Sequence, residues 1–169
     1  MQPVIAFLSG LSGTGKSTLV GHFREHPLKG WLIFDFDEGN EPVPKDREKH
    51  HEWRKRQSEW WLHRSIENAQ QGKKTAVFGL SLYPSAMKAL PIAQQIGVGH
   101  IHFALLDADH EVRKSRIMQR ENTSAWQGIQ PWYEEFYQEM RASSAKVFDT
   151  TSVKPEETAK EVREWLLGL

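Results

Sequence analysis

The chain has 169 residues, the length of one domain able to bury a substantial core. Lys plus Arg is 22 and Asp plus Glu is 22, so the formal net charge is zero, which argues against a protein that coats a polyanion. Cysteine is absent, which excludes a disulfide framework, thiol catalysis and thiolate-held zinc or iron–sulfur sites.

Val4-Ile5-Ala6-Phe7-Leu8 is a short apolar run stopped by Ser9-Gly10, the pattern of a strand buried on both faces of a parallel sheet. A helix is predicted from about Lys16, after a glycine-rich loop. Trp31-Leu32-Ile33-Phe34 reads as a second strand ending in Asp35-Phe36-Asp37, and Gly39, Pro42 and Pro44 mark a loop. No Gly or Pro interrupts Lys45 to Gln71, which predicts one long charged helix with Trp53, Trp60, Trp61 and Ile66 near one side and Gly72 as its stop. Thr75 to Gly79 is the third strand. Pro84 to Ile96 reads as short helical pieces broken at Pro91. His100 to Leu106 is the fourth strand, ending in Asp107. Helices are predicted over Glu111–Arg120 and Pro131–Ser143, separated by the polar, irregular stretch Glu121–Gln130. Lys146-Val147-Phe148 is a fifth strand, and a last helix begins at Pro155. Strands alternate with helices throughout, so the expected fold class is α/β, a parallel sheet covered on both faces. No run of about 18 apolar residues occurs. Met1-Gln2-Pro3 has no charged leader, so a soluble, cytoplasmic domain is expected.

Gly10-Leu11-Ser12-Gly13-Thr14-Gly15-Lys16-Ser17 matches G-x-x-x-x-G-K-[ST] between a buried strand and a helix. Glycines let the backbone curl so that successive N–H groups face phosphate oxygens, and the helix behind adds its positive end. Gly10, Ser12, Gly13, Thr14, Gly15, Lys16, Ser17 and Thr18 are therefore the expected nucleotide-binding residues. Lys16 would reach the β and γ phosphates, and Ser17 would offer its hydroxyl to Mg²⁺. The dinucleotide motif G-x-G-x-x-G is absent.

The third strand ends without an acid, at Gly79-Leu80-Ser81. The acids stand after the second strand, and strand alternation would point Asp35 and Asp37 the same way, about 7 Å apart, at the sheet edge where ligands of open α/β sheets bind. One could hold Mg²⁺ and the other could orient, or take a proton from, an attacking hydroxyl. Arg113, Arg116 and Arg120 share a helical face beside Lys114 and could neutralise charge in phosphoryl transfer, with the segment after them as a lid. Ser81 could touch substrate or cap the helix after Tyr83-Pro84. His100 and His102 face one side of a strand without an evident third metal ligand, and His50-His51 reads as solvated surface.

The loop Gly10–Ser17, the Asp35-Phe36-Asp37 pair, the stretch Leu105 to Asp109 with Val112, Arg116 and Arg120, and Val147 to Thr151 before Pro155 together resemble the small-molecule kinases of the shikimate kinase and gluconate kinase type. That group lies within the nucleoside-monophosphate-kinase-like superfamily. The resemblance spans nearly the whole chain. It implies a three-layer α/β/α domain over 1–169, five parallel strands in the order 2-3-1-4-5, and a small lid near 120–131. It implies ATP and Mg²⁺ as cofactors, with Ser17 and Asp35 at the metal and Asp37 at the acceptor hydroxyl. Arg116 or Arg120 would close over the transferred group, and Asp149–Thr151 would flank the adenine. The glycine triplet that shikimate kinases carry after strand three is replaced here by Gly79-Leu80-Ser81.

The expected function is ATP- and Mg²⁺-dependent phosphorylation of a small-molecule hydroxyl by a monomer or homodimer. Lys16, Asp35, Asp37, Arg116 and Arg120 are the catalytic set, and Asp37, Arg54, Trp60 and Ser81 face the acceptor. A nucleoside or nucleotide kinase, and a P-loop ATPase acting through a protein partner, are the alternatives. Zero net charge disfavours nucleic acid as a partner. Seven tryptophans, against roughly two or three for an ordinary chain of this size, add one further reading. Trp53, Trp60, Trp61, Trp126 and Trp132 fall around the expected acceptor site, which points either to an apolar or ring-containing acceptor or to rings that only pack the domain.

Overall fold

The computed structural model describes residues 2–120, 128 and 130–169. Among these, β1 (Ile5–Ser9), β2 (Trp31–Asp35), β3 (Lys74–Phe78), β4 (Ile101–Asp107) and β5 (Lys146–Asp149) form one parallel sheet in the order β2-β3-β1-β4-β5. The helices are α1 (Lys16–Glu25), α2 (His50–Gln70), α3 (Pro84–Lys88), α4 (Pro91–Ile96), α5 (His110–Arg120), α6 (Trp132–Ala142) and α7 (Pro155–Leu167). This is the expected three-layer α/β/α arrangement and strand order. The expected lid, with Trp126, falls mostly outside the described residues.

Strand β1 is central because Ile5, Ala6, Phe7 and Leu8 are all fully buried. Its alternation splits them between two cores. Ile5 and Phe7 pack with Val77, Phe103 and Leu105 beneath α2, α3, α4 and α6. Ala6 and Leu8 pack with Phe78, Ala104, Leu106 and Phe148 beneath α1 and α7. Each ring or branched side chain so buried contributes about 1.5–3 kcal/mol. Prolines open α3, α4 and α7, where a missing N–H costs nothing. Parallel strands place their carboxyl ends together, so Ser9, Asp35, Phe78 and Asp107 finish along one edge.

Two elements depart from the sequence pattern. The helix predicted from Lys45 is a 3₁₀ turn over Arg47–Lys49 followed by α2 from His50. The Asp46 carboxylate accepts the Glu48 N–H at 3.1 Å, a local bond that favours a turn over a continuing helix. Strand β2 also stops at Asp35, and Phe36–Glu38 is a 3₁₀ turn rather than a strand continuation. Asp35 caps it, accepting the Asp37 N–H at 3.1 Å, while Glu38 reaches back to the Asp35 N–H at 3.1 Å.

Trp61 secures this turn from the core. It is 1% exposed, donates its indole N–H to Phe36 O at 3.1 Å, and lies 4.9 Å from Phe34 and 4.6 Å from Trp60, centroid to centroid. Trp61→Ala is expected to cost about 3–5 kcal/mol in denaturant unfolding. Trp60→Ala, at a half-buried ring, should cost clearly less; equal losses would show that burial at Trp61 is not what holds α2.

Candidate active site

The phosphate loop joins β1 to α1 over the central strand. Gly13 has φ +85°, and a Cβ there would meet Arg113 O at 2.8 Å, so both its conformation and its space demand glycine. Gly15 caps α1 in the left-handed region, at φ 95°. The first helical bond runs from Leu19 N–H to Gly15 O, which leaves the preceding N–H groups of the first turn without helical acceptors. Thr14 is fully buried and ties the loop to itself through Leu11 O at 2.8 Å.

Lys16 folds back on the loop. Its ammonium donates to Gly10 O at 2.7 Å and Leu11 O at 2.9 Å. Desolvation lowers its pKa from 10.5 to about 8, the charges of Asp35 and Asp37 oppose the fall, and Arg113 and Arg120 add to it. The first-turn N–H groups of α1, the Lys16 ammonium and the positive end of the helix fit a polyphosphate chain. Ser17, Asp35 and Asp37 open on the same cavity and offer hard oxygens of the kind Mg²⁺ accepts.

That cavity is about 750 Å³, within the size range of small-molecule sites. Lys16, Asp37, Arg54 and Ser81 all line it. The Asp37 carboxyl is raised from its usual range by desolvation in the cavity and then by the Asp35 charge. Arg54 is half-buried on α2, its pKa lowered by desolvation, and among the described residues it makes no hydrogen bond or ion pair. Ser81 bonds to Ser9 Oγ at 3.1 Å and donates to Leu82 O at 3.1 Å; it does not cap α3, whose N-cap is Tyr83.

Several expected residues are placed differently. Asp35 and Asp37 meet at the cavity through a capped turn, not through strand alternation. Trp60 lies outside the cavity lining, because it packs on Trp61, whereas Trp53, Tyr83, Trp132 and Tyr133 line it. His50 and His51 line it as well, His50 held by Pro44 O at 2.8 Å, rather than lying on a plain solvated surface. No cluster of three or more His, Cys, Asp or Glu suited to a metal occurs among the described residues, so His100 and His102 gain no further ligand.

The α5 arginines all reach the loop, as their shared face implied, but not to one end. Arg113 is 3% exposed, donates from Nε to Ser12 O at 3.0 Å, and lies 5.2 Å from the Tyr133 ring centroid. Arg116 donates to Gly13 O at 3.2 Å and to Thr150 O at 2.6 Å. Arg120 donates to Thr18 Oγ1 at 3.2 Å. Arg116 and Arg120 line a second pocket of about 180 Å³ with Thr14, Thr18, Thr150 and Val153, on the far side of the loop from Asp37. Neither Arg116 nor Arg120 lines the Lys16 cavity. Sequence reasoning missed Thr150 as a junction: its hydroxyl lies 3.1 Å from Thr14 O and 3.0 Å from Asp107 O. It also missed Asp107, which accepts from Tyr137 OH at 2.9 Å. No local motif marks either, since their partners come from distant segments.

No protein-family model and no curated protein matches the chain. Solved structures do. A sugar kinase from Janibacter sp. HTCC2649 superposes with TM-score 0.62 at 19% identity, over 97% of this chain and 94% of that one. A tunicamycin resistance protein of Deinococcus radiodurans gives 0.59 at 17%, over 97% and 95%. Shikimate kinase from Acinetobacter baumannii gives 0.55 at 14%, over 99% and 94%. Identities this low show a shared fold. The fold is that of the P-loop small-molecule kinases.

Two measurements check the electrostatics and the loop support. An ammonium with a folded pKa near 8, below its ordinary 10.5, destabilises the ligand-free protein at neutral pH. Between those values the unfolded chain holds the extra proton, so this group makes stability rise with pH. Lys16→Met is expected to be more stable than the parent in urea at pH 7, with the gap narrowing by pH 10. Arg113→Ala removes a charged hydrogen bond to the loop and should lose about 1.5–3 kcal/mol of stability, together with nucleotide affinity measured by calorimetry.

Proposed function

We propose that the protein is an ATP- and Mg²⁺-dependent phosphotransferase that phosphorylates a hydroxyl of a small molecule. The observation that carries this reading is one shared cavity: Lys16 of the phosphate loop and the Asp37 carboxyl both open into it. A nucleotide-hydrolysing switch has no need of an acid-lined recess beside the loop, whereas a kinase must hold an acceptor there.

In this reading the phosphates displace Gly10 O and Leu11 O from the Lys16 ammonium. The base and ribose lie toward the pocket of Arg116, Thr150 and Val153. Ser17 and Asp35 hold Mg²⁺, which neutralises charge on the β and γ oxygens when bound. Arg54 and Ser81 orient the acceptor so that its hydroxyl faces Asp37. The hydroxyl oxygen bonds to the γ phosphorus, the bond from that phosphorus to the β,γ-bridging oxygen breaks, and the hydroxyl proton passes to Asp37. Products are ADP and a phosphate monoester. Arg116 or Arg120 closes over the transferred group; both line the nucleoside-side pocket and neither lines the Lys16 cavity. The proposal includes a cytoplasmic enzyme, where ATP is supplied, working as a monomer or homodimer. No helix among the described residues is long and apolar enough to cross a membrane.

The test is ADP release with and without added acceptors. Lys16→Ala is expected to abolish transfer, and Asp37→Asn to lower kcat by about 100-fold or more with the KM for ATP little changed. ADP release that ignores every acceptor and survives Asp37→Asn would instead support an ATPase working through a protein partner.

A further inference from the structure

The cavity has a wall that the phosphoryl chemistry does not use. Tyr83, from the start of α3, and Trp132 and Tyr133, from the start of α6, line it together, and all three are half-buried. Phe136, 1% exposed, lies behind them, 6.2 Å from Tyr83 and 6.3 Å from Trp132 between ring centroids. Trp132 and Tyr133 meet edge to face at 4.7 Å. On the α2 side Trp53 closes the same space, its indole N–H donated to Glu41 O at 3.2 Å.

A site for an open-chain polyol needs many fixed polar groups, because each hydroxyl it desolvates must find a partner. The cavity does carry polar groups, His50, Arg54, Gln130 and Glu135 among them, but this wall is made by three aromatic side chains. It presents instead ring faces and edges, which reward a flat ring by stacking and by removal of apolar area from water. The rings are also restrained before any ligand arrives: Phe136 backs two of them, and Tyr133 carries the Arg113 guanidinium on its face. Restraint of this kind lowers the ordering cost of binding. The hydroxyl-orienting end of the cavity, at Asp37 and Ser81, is polar, so the ligand that fits has two unlike ends.

Resting on the phosphotransferase reading, we infer that the acceptor is a molecule with a planar aromatic or heteroaromatic ring, seated on Tyr83, Trp132 and Tyr133, that presents an aliphatic hydroxyl to Asp37. The ring supplies affinity and selectivity, and the hydroxyl supplies the reaction.

The experiment offers the intact protein with ATP and Mg²⁺ a panel of nucleosides and phenyl glycosides, set against ring-free polyols and sugar acids. Binding is read by tryptophan fluorescence and turnover by ADP release. Ring-bearing alcohols are expected to quench fluorescence and to exceed ring-free ones at least tenfold in kcat/KM. Trp132→Ala should raise the acceptor KM at least tenfold while leaving the KM for ATP within twofold, and Trp132→Phe, which keeps a ring and the fold, should restore most of it. Preference for ring-free acceptors, an acceptor KM indifferent to Trp132→Ala, or failure of every ring compound to bind or react overturns this inference. The phosphotransferase reading survives the first two of those results. It falls separately if ADP release ignores every acceptor and persists in Asp37→Asn.

Discussion

Holding a phosphate loop open is costly, because the loop must keep backbone N–H groups and a cation turned toward one small volume without a counter-anion in place. The molecule is organised around that constraint. Lys16 rests on two carbonyls of its own loop, which hold the ammonium but solvate it less well than water would, as its lowered pKa records. Helix α5 bonds two loop carbonyls through Arg113 and Arg116 and the Thr18 hydroxyl at the start of α1 through Arg120. The arginine charges that stabilise the loop also oppose Lys16, so shape is kept at an electrostatic cost that an incoming anion would relieve.

Two spaces open on opposite sides of this loop, and they differ in kind. The smaller is bounded by α1, α5 and the turn after β5, with Thr150 as the junction to Thr14 and Asp107. The larger is bounded by the turn after β2, by α2 and by α6. Each wall is set by a different core. The α1–α7 core positions the first, and the aromatic-rich core under α2 and α6 positions the second. A change in one core can therefore alter one space while the loop between them keeps its form.

What the sequence made legible follows the range of the interactions concerned. The phosphate loop is contiguous, its glycines answer to local backbone needs, and it was readable residue by residue. Alternation of short apolar strands with helices gave a covered parallel sheet, and the strand order came from the family resemblance alone. The placement of Asp37 was only partly legible, because a two-residue alternation cannot reveal that Asp35 would cap a turn and end the strand. The arginines show the same limit. Helical spacing correctly put Arg113, Arg116 and Arg120 on one face, but the loop curves, so neighbours on that face meet different parts of it. Trp60 and Trp61 are neighbours in sequence, yet Trp61 is 1% exposed while Trp60 is only partly buried against the same core. Which of them turned inward depended on the phase of α2 over the sheet, and the cavity ring from that helix is Trp53. Trp132 belongs to the same wall across a long stretch of chain, a convergence that no local pattern encodes.

The formal charge of zero conceals an ordered contrast inside the site. Lys16, Arg113 and Arg120 gather on the loop side, and Asp35 and Asp37 on the turn after β2. Desolvation pushes Lys16 down and Asp37 up, so each drifts toward its neutral form while the site is open. A polyanion arriving at the loop favours the charged form of Lys16 and is repelled from the acidic turn. A neutral polar group suffers no such repulsion there. In the phosphotransferase reading proposed above, the two ends of the cavity sort ligands by charge before shape is tested, with the anionic partner against the loop and the uncharged one against Asp37. That sorting needs no net charge on the protein, only the fixed separation of the two clusters, which β1 and β2 maintain through the strand between them.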